Sequence, residues 1–287
     1  DIWAYELKKI ISQKFPEFIF PQKKYSKQII IDVPQAYKYK KLGFLRTLGG
    51  TFLDIFNLQF SDLYQRYLVL FGLKRDPFDT FNWIIANQKK SSIKFNVFFL
   101  IGNYSTFDKN ISTNKKKFVS LIKSMADYCN VGLKVSYFGV KDLSVLKTEK
   151  KKIENILNYD LKISRNSYSK INLPEAYRHL LELEIFDDYT LGYIDQLGFR
   201  AGTCTAFKYY DLDFETATPL TLHPYHCLDD ALLKYKSELD KTQKLQELIK
   251  KIKKVNGTFT SVFHNYTLSG REQWRGFRKL FKIILEH

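Results

Sequence analysis

The residues best able to do chemistry stand at or just beyond short apolar runs. Asp32 closes Ile29-Ile30-Ile31 and precedes Val33-Pro34, so a carboxylate ends what reads as a buried strand. Such an Asp is either a catalytic group or an N-cap, whose oxygen accepts from the free N–H groups opening a helix. Lys134 falls near the end of Val131 to Val135, Arg165 follows Leu161 to Ser164, Arg200 lies in Gly198 to Ala201, and His264 ends Thr258 to His264. His223-x-x-His226 has the spacing of a metal pair, but zinc takes three or four protein ligands and nothing near His226 supplies more, so structural histidines are expected. His179, after Arg178 on a helical pattern, reads as a surface residue. Cys129, Cys204 and Cys227 form no CxxC pair and leave one over, which suggests neither a disulfide framework nor a zinc knuckle and points to a reducing, cytoplasmic setting. Cys204 could be reactive, although a nucleophile needs a base within hydrogen-bond reach and the sequence shows none.

Elements that would position these groups can be read from periodicity. Gln28 to Val33, Lys94 to Ile101, Val131 to Val135, Leu161 to Ser164, Gly198 to Ala201, Leu220 to His223 and Thr258 to His264 predict strands. Helical spacing marks 114–128, 145–157, 174–183 and 239–255, the last stopped by Gly257. Strand-then-helix repeats imply a largely parallel sheet, whose closed form is a barrel with its functional groups at the C-terminal strand ends. No low-complexity stretch or linker divides the interior. The expected organisation is an N-terminal helix (residues 2–14) and linker up to residue 24, leading from a missing upstream portion, then one domain over 25–287.

The segment Ile30-Ile31-Asp32-Val33-Pro34-Gln35-Ala36-Tyr37, followed by Gly43-Phe44-Leu45-Arg46-Thr47-Leu48-Gly49-Gly50, resembles a bacterial branch of the NodB-type polysaccharide deacetylases. Further segments are similar in order and spacing: Phe98 to Gly102 with Phe107 to Ser112, Tyr128 to Tyr137, Ser164 to Tyr168, Asp188 to Tyr193 leading to Gly198 to Thr203, His223-Pro224, and Val262 to Asn265. The resemblance implies a distorted (β/α) barrel that removes N-acetyl groups from amino sugars, using a divalent ion, usually zinc, held by an Asp and two His. Carried over, Asp32 would be the base, Arg200 the residue orienting it and His264 the acid. Lys134, Tyr137 and Thr203 would face substrate, and Tyr193 and Trp274 could stack on a sugar, although such aromatics more often serve the core. The metal positions fall at Pro34, Lys134 and Ser167, none of which can serve as expected, so no metal cofactor is expected. Lys134 either pairs with Asp32 in the ion's place, which needs a separation of ~4–6 Å, or turns to solvent. The expectation is a deacetylase-like protein acting on or binding an N-acetylated cell-surface glycan or its precursor, with metal-dependent deacetylation lost or impaired. The alternative is an inactive module for glycan or protein binding.

A net charge of +16 would ordinarily raise nucleic acid or an anionic membrane as a partner. Only nine of the 46 basic residues are Arg, the residue favoured for bidentate phosphate and guanine contacts. The excess of Lys, with Asn, Ile, Phe and Tyr, fits an AT-rich coding bias, and the lysine runs at 115–117, 150–152 and 250–254 read as solvated helix faces. Nucleic acid is therefore disfavoured. Val97 to Ile101 is too short to span a bilayer, and no leader pattern opens the chain.

Overall fold

The computed structural model describes residues 1–286. Its sheet contains β1 (Ser26–Val33), β2 (Asn96–Leu100), β3 (Asn130–Val135), β4 (Ile163–Asn166), β5 (Asp187–Asp188), β6 (Phe207–Asp211), β7 (Thr216–Leu222), β8 (Cys227–Leu228) and β9 (Thr258–His264). The order is β6-β7-β5-β4-β3-β2-β1-β9-β8, and all neighbours run parallel except the β6–β7 hairpin. The sheet curls into the distorted barrel anticipated from the strand-then-helix pattern, with β1 between β2 and β9 and with β6 and β8 at the open edges.

Strands covered on both faces read as continuous apolar runs, as Ile29-Ile30-Ile31 does. Side chains alternate between faces with a period of two, so residues two apart share a face. Ile30, Phe98 and Val262 form, with Tyr189, Tyr225 and Leu228, a small cluster distinct from the main core. One step further along, on the same face, come Asp32 after Ile30 and His264 after Val262. Registers align these groups laterally: Asp32 pairs with His264 and with Phe98, Leu100 with Lys134, and Lys134 with Arg165. The apolar cluster thus floors the barrel, and the ionisable groups form the layer above it at the strand ends.

Helices α1 (Ile2–Lys14), α2 (Phe44–Phe56), α3 (Phe60–Leu70), α4 (Phe81–Gln88), α5 (Lys116–Ala126), α6 (Leu143–Leu157), α7 (Glu175–Glu182), α8 (Glu238–Lys254) and α9 (Phe277–Glu286) complete the chain. Amphipathic stripes explain the packing of those around the barrel. Leu146, Ile153 and Ile156 of α6 and Leu245, Leu248, Ile249 and Ile252 of α8 are buried. Asp142 caps α6 by accepting from Ser144 and Val145 N–H, and Ser237 with Asp240 forms a capping box on α8.

Gly198 to Ala201, expected as a strand, forms turns instead, because Gly198 (φ 144) and Gly202 (φ 68) leave the extended region on either side. The hairpin α2–α3, inserted between β1 and α4, was not anticipated, and none of its side chains joins either apolar cluster. Among the described residues, no helix is long and apolar enough to cross a membrane.

Candidate active site

A cleft of about 530 Å³ opens at the C-terminal strand ends, lined by Asp32, Pro34, Lys134, Arg165, Ser167 and His264 among others. Asp32, only 1% exposed, is its electrostatic centre. Lys134 Nζ donates to Asp32 Oδ2 at 2.6 Å, and Arg165 Nε donates to both carboxylate oxygens at 3.0 and 3.2 Å. Arg165 is itself fixed: Nη1 donates to the Tyr189 carbonyl at 2.6 Å and the guanidinium lies 4.4 Å from the centre of the Tyr225 ring. Burial alone would raise the Asp32 carboxyl, but Arg165, Lys134 and His264 outweigh it and hold the group well below the usual carboxylate range. Burial lowers Lys134, with Asp32 opposing that effect, whereas for Arg165 the same neighbour more than offsets burial and raises it.

His264 enters from β9. Its Nδ1 lies 2.8 Å from Asp229 Oδ1, and its backbone N–H donates to Asp229 Oδ2 at 2.6 Å, an oxygen that also accepts from Thr267 Oγ1 at 2.6 Å. With Nδ1 engaged by a carboxylate, Nε2 is the free ring nitrogen, 3.9 Å from Asp32 Oδ2. The ring stacks on Tyr266 with centroids 4.8 Å apart. Burial would lower the imidazole, but Asp229, Asp32 and Asp230 together raise it. The pair has the base-and-orienter arrangement of an acid–base dyad.

Beyond β4 the chain is strained. Tyr168 (φ 58) and Ser169 (φ 47) both take left-handed backbone, which is costly for residues with a side chain. The turn brings Tyr168 to the cleft wall, where its hydroxyl donates to the Phe107 carbonyl. Ser167, 3% exposed, leaves its Oγ without a protein partner.

The donor set does not fit a dication at the positions the resemblance indicates. Pro34 offers no side-chain donor, and Ser167 supplies a neutral hydroxyl. The Lys134 ammonium and the Arg165 guanidinium already hold the Asp32 carboxylate with two positive charges. Asp229, Asp230 and His264 bring potential ligand atoms within 4.8 Å of one another, but both Asp229 oxygens and His264 Nδ1 are already committed to mutual hydrogen bonds.

The structure brings Asp32, Lys134, Arg165 and His264 together at the cleft and separates Arg200, Thr203 and Cys204 from them. Arg200 does not orient Asp32: its Nη1 donates to the Ser169 and Gly192 carbonyls at 3.2 Å, because the turn carrying it lies outside the sheet and Arg165 takes the carboxylate. Thr203 is not a cleft residue. Its hydroxyl donates to Asp1, and the adjacent Cys204 carbonyl accepts from Thr258, the first residue of β9, which places both at the opposite end of the barrel. Cys204 is accordingly buried away from the cleft. Tyr137 stacks on Phe107 at 3.9 Å behind the cleft wall, and Trp274 backs Tyr266 at 5.6 Å. His223 bonds Asp187 at 2.7 Å, and His226 accepts from the Thr260 N–H at 3.2 Å and is pushed down to about 4 by burial, so both are structural. Asp229 and Asp230 escaped sequence reading because the preceding β8 has only two residues, too few to show a period.

No known sequence family and no curated protein matches the chain. Solved structures do. A protein from Mycobacterium smegmatis assigned as a polysaccharide deacetylase superposes with a TM-score of 0.56 at 10% identity, covering 93% of this chain and 86% of its own. A second of the same assignment, from Pseudomonas aeruginosa PAO1, gives 0.56 at 9% identity over 92% and 86%. The allantoinase Puue gives 0.56 at 9% identity over 93% and 87%. The fold is thus the NodB-type (β/α) barrel of polysaccharide deacetylases.

Proposed function

We propose that the chain is a carbohydrate-directed protein on a deacetylase scaffold, which holds an N-acetylated cell-surface glycan or its precursor in the cleft and has lost metal-dependent deacetylation. The observation that carries this reading is the buried Lys134–Asp32–Arg165 cluster. An ammonium balances the carboxylate's charge but cannot act as a Lewis acid or bring a bound water's pKa from about 15.7 to about 7. A carboxylate held far below its ordinary range is also a weak proton acceptor near neutrality. Phe78, Phe107, Tyr168 and Tyr266 supply aromatic surface on which sugar rings can stack, and Asp230 and Lys109 supply polar groups beside them.

Calorimetric titration with N-acetylglucosamine oligomers, together with an acetate-release assay with and without added zinc, tests the proposal. Saturable binding without zinc-dependent acetate release supports it; zinc-stimulated release would sink it. The Asp229–His264 dyad favours a second reading, in which metal-free acid–base chemistry persists. That reading requires slow turnover that is indifferent to chelator and abolished in His264→Asn.

A further inference from the structure

The hairpin of α2 and α3 is built inside out. Its four charged side chains turn inward: Arg46 donates to the Lys109 and Asn110 carbonyls, Asp54 and Arg66 form a buried ion pair at 2.8 Å, and Asp62 pairs with Lys38 at 2.9 Å. The threonine hydroxyls of α2 are satisfied within the helix itself, Thr47 donating to the Gly43 carbonyl and Thr51 to the Thr47 carbonyl. Phe44, Leu45, Phe52, Phe56, Phe60 and Phe71 project into solvent instead, with Leu45 83% and Phe56 86% exposed. Helices that bury charge and expose carbon present an apolar face for another phase to cover.

The hairpin's base indicates which phase. Lys41 stands among Lys40, Lys115 and Lys117, and partial burial together with those like charges lowers its pKa. A protein interface needs a polar rim with hydrogen bonds to fix its register, whereas here the polar atoms of α2 are spent internally. Apolar side chains beyond a cluster of lysines match the layers of a bilayer surface, with acyl chains beyond anionic headgroups. At 13 and 11 residues the helices are too short to cross a membrane and suit lying in its interface.

We propose that the α2–α3 hairpin is a monotopic membrane-docking element that seats the protein on an anionic lipid surface. Arg46 joins it to the loop that carries Lys109, a cleft residue, so docking brings the cleft mouth towards the headgroups.

The test is vesicle flotation of the full chain with phosphatidylcholine alone and with equal parts phosphatidylcholine and phosphatidylglycerol. Wild type is expected to float with the anionic vesicles, to bind phosphatidylcholine at least about tenfold more weakly, and to release in high salt. The double variant F52S/F56S, which alters only exposed side chains, should bind about a hundredfold more weakly with an unchanged circular dichroism spectrum. As a check independent of that variant, Phe56→Trp should add indole fluorescence that brominated phosphatidylcholine in the anionic vesicles quenches. Equal flotation of wild type and F52S/F56S, flotation with neither vesicle, or an unquenched indole overturns the proposal. A dimer lost in F52S/F56S with no vesicle binding also overturns it and gives the face to a second copy of the chain.

Discussion

Asp32 lies between two buried cations, and its removal should be felt mainly through what it leaves behind. Asp32→Asn should destabilise the protein by about 3–5 kcal/mol, because Lys134 and Arg165 would stay buried without a counter-charge. Lys134→Met should cost much less, since Arg165 still pairs with the carboxylate and the thioether chain fills similar space; urea denaturation of both variants measures the difference. Asp32 and His264 were legible as residues because each ends an apolar run. The choice of Arg165 over Arg200 as the guanidinium on Asp32 was not, since it depends on a register between neighbouring strands that no local pattern records. A second carboxyl carries a pH signature. Glu149 is buried, accepts from the Ser136 N–H with Oε2 and has no partner at Oε1, and burial pushes it up to about 7. A carboxyl raised in the native state holds its proton longer than in the unfolded chain, so its contribution is complete below pH 4.5 and disappears as pH rises to about 7. Glu149→Gln should remove a loss of about 3 kcal/mol across that window, read as a flatter dependence of thermal midpoint on pH.

Elements differ in how much of themselves they reveal. β1, β3, β9, α6 and α8 were readable because both burial and period are written into consecutive side chains. β5 and β8, two residues each, exist only as partners of longer strands. α2 and α3 escaped because the usual rule, apolar inward, is inverted in them. Two glycines show how close packing constrains these elements. A Cβ at Gly132 would lie 2.5 Å from the Phe98 ring beneath the site, so Gly132→Ala should cost about 1–3 kcal/mol and loosen the layer holding Lys134, measurable by denaturation. A Cβ at Gly50 would lie 2.5 Å from Arg66 Nη1, which explains how α2 passes over the buried Asp54–Arg66 pair.

At the scale of the molecule, the proposed boundary near residue 25 can be tested directly. No residue before Ser26 is buried, and α1 reaches the barrel through polar contacts such as Asn256 to Tyr5. A chain beginning at residue 25 should therefore unfold within about 1 kcal/mol of the parent; a larger loss by calorimetry would place the N-terminal helix inside the domain. The fold class was legible because strand-and-helix alternation is a global signal, spread over the whole chain. The pairing of β1 with β9 has a temporal consequence. Ser26 and Thr258, 232 residues apart in sequence, are register partners, so β1 cannot gain its second neighbour until residues 258–264 have left the ribosome. Closing contacts so distant in sequence is slow, and until then β1 offers an unpaired apolar edge of the sort that aggregates. The strand that carries Asp32 thus meets the strand that carries His264 only after every other described strand has been made, and a chain cut before β9 never assembles the cleft.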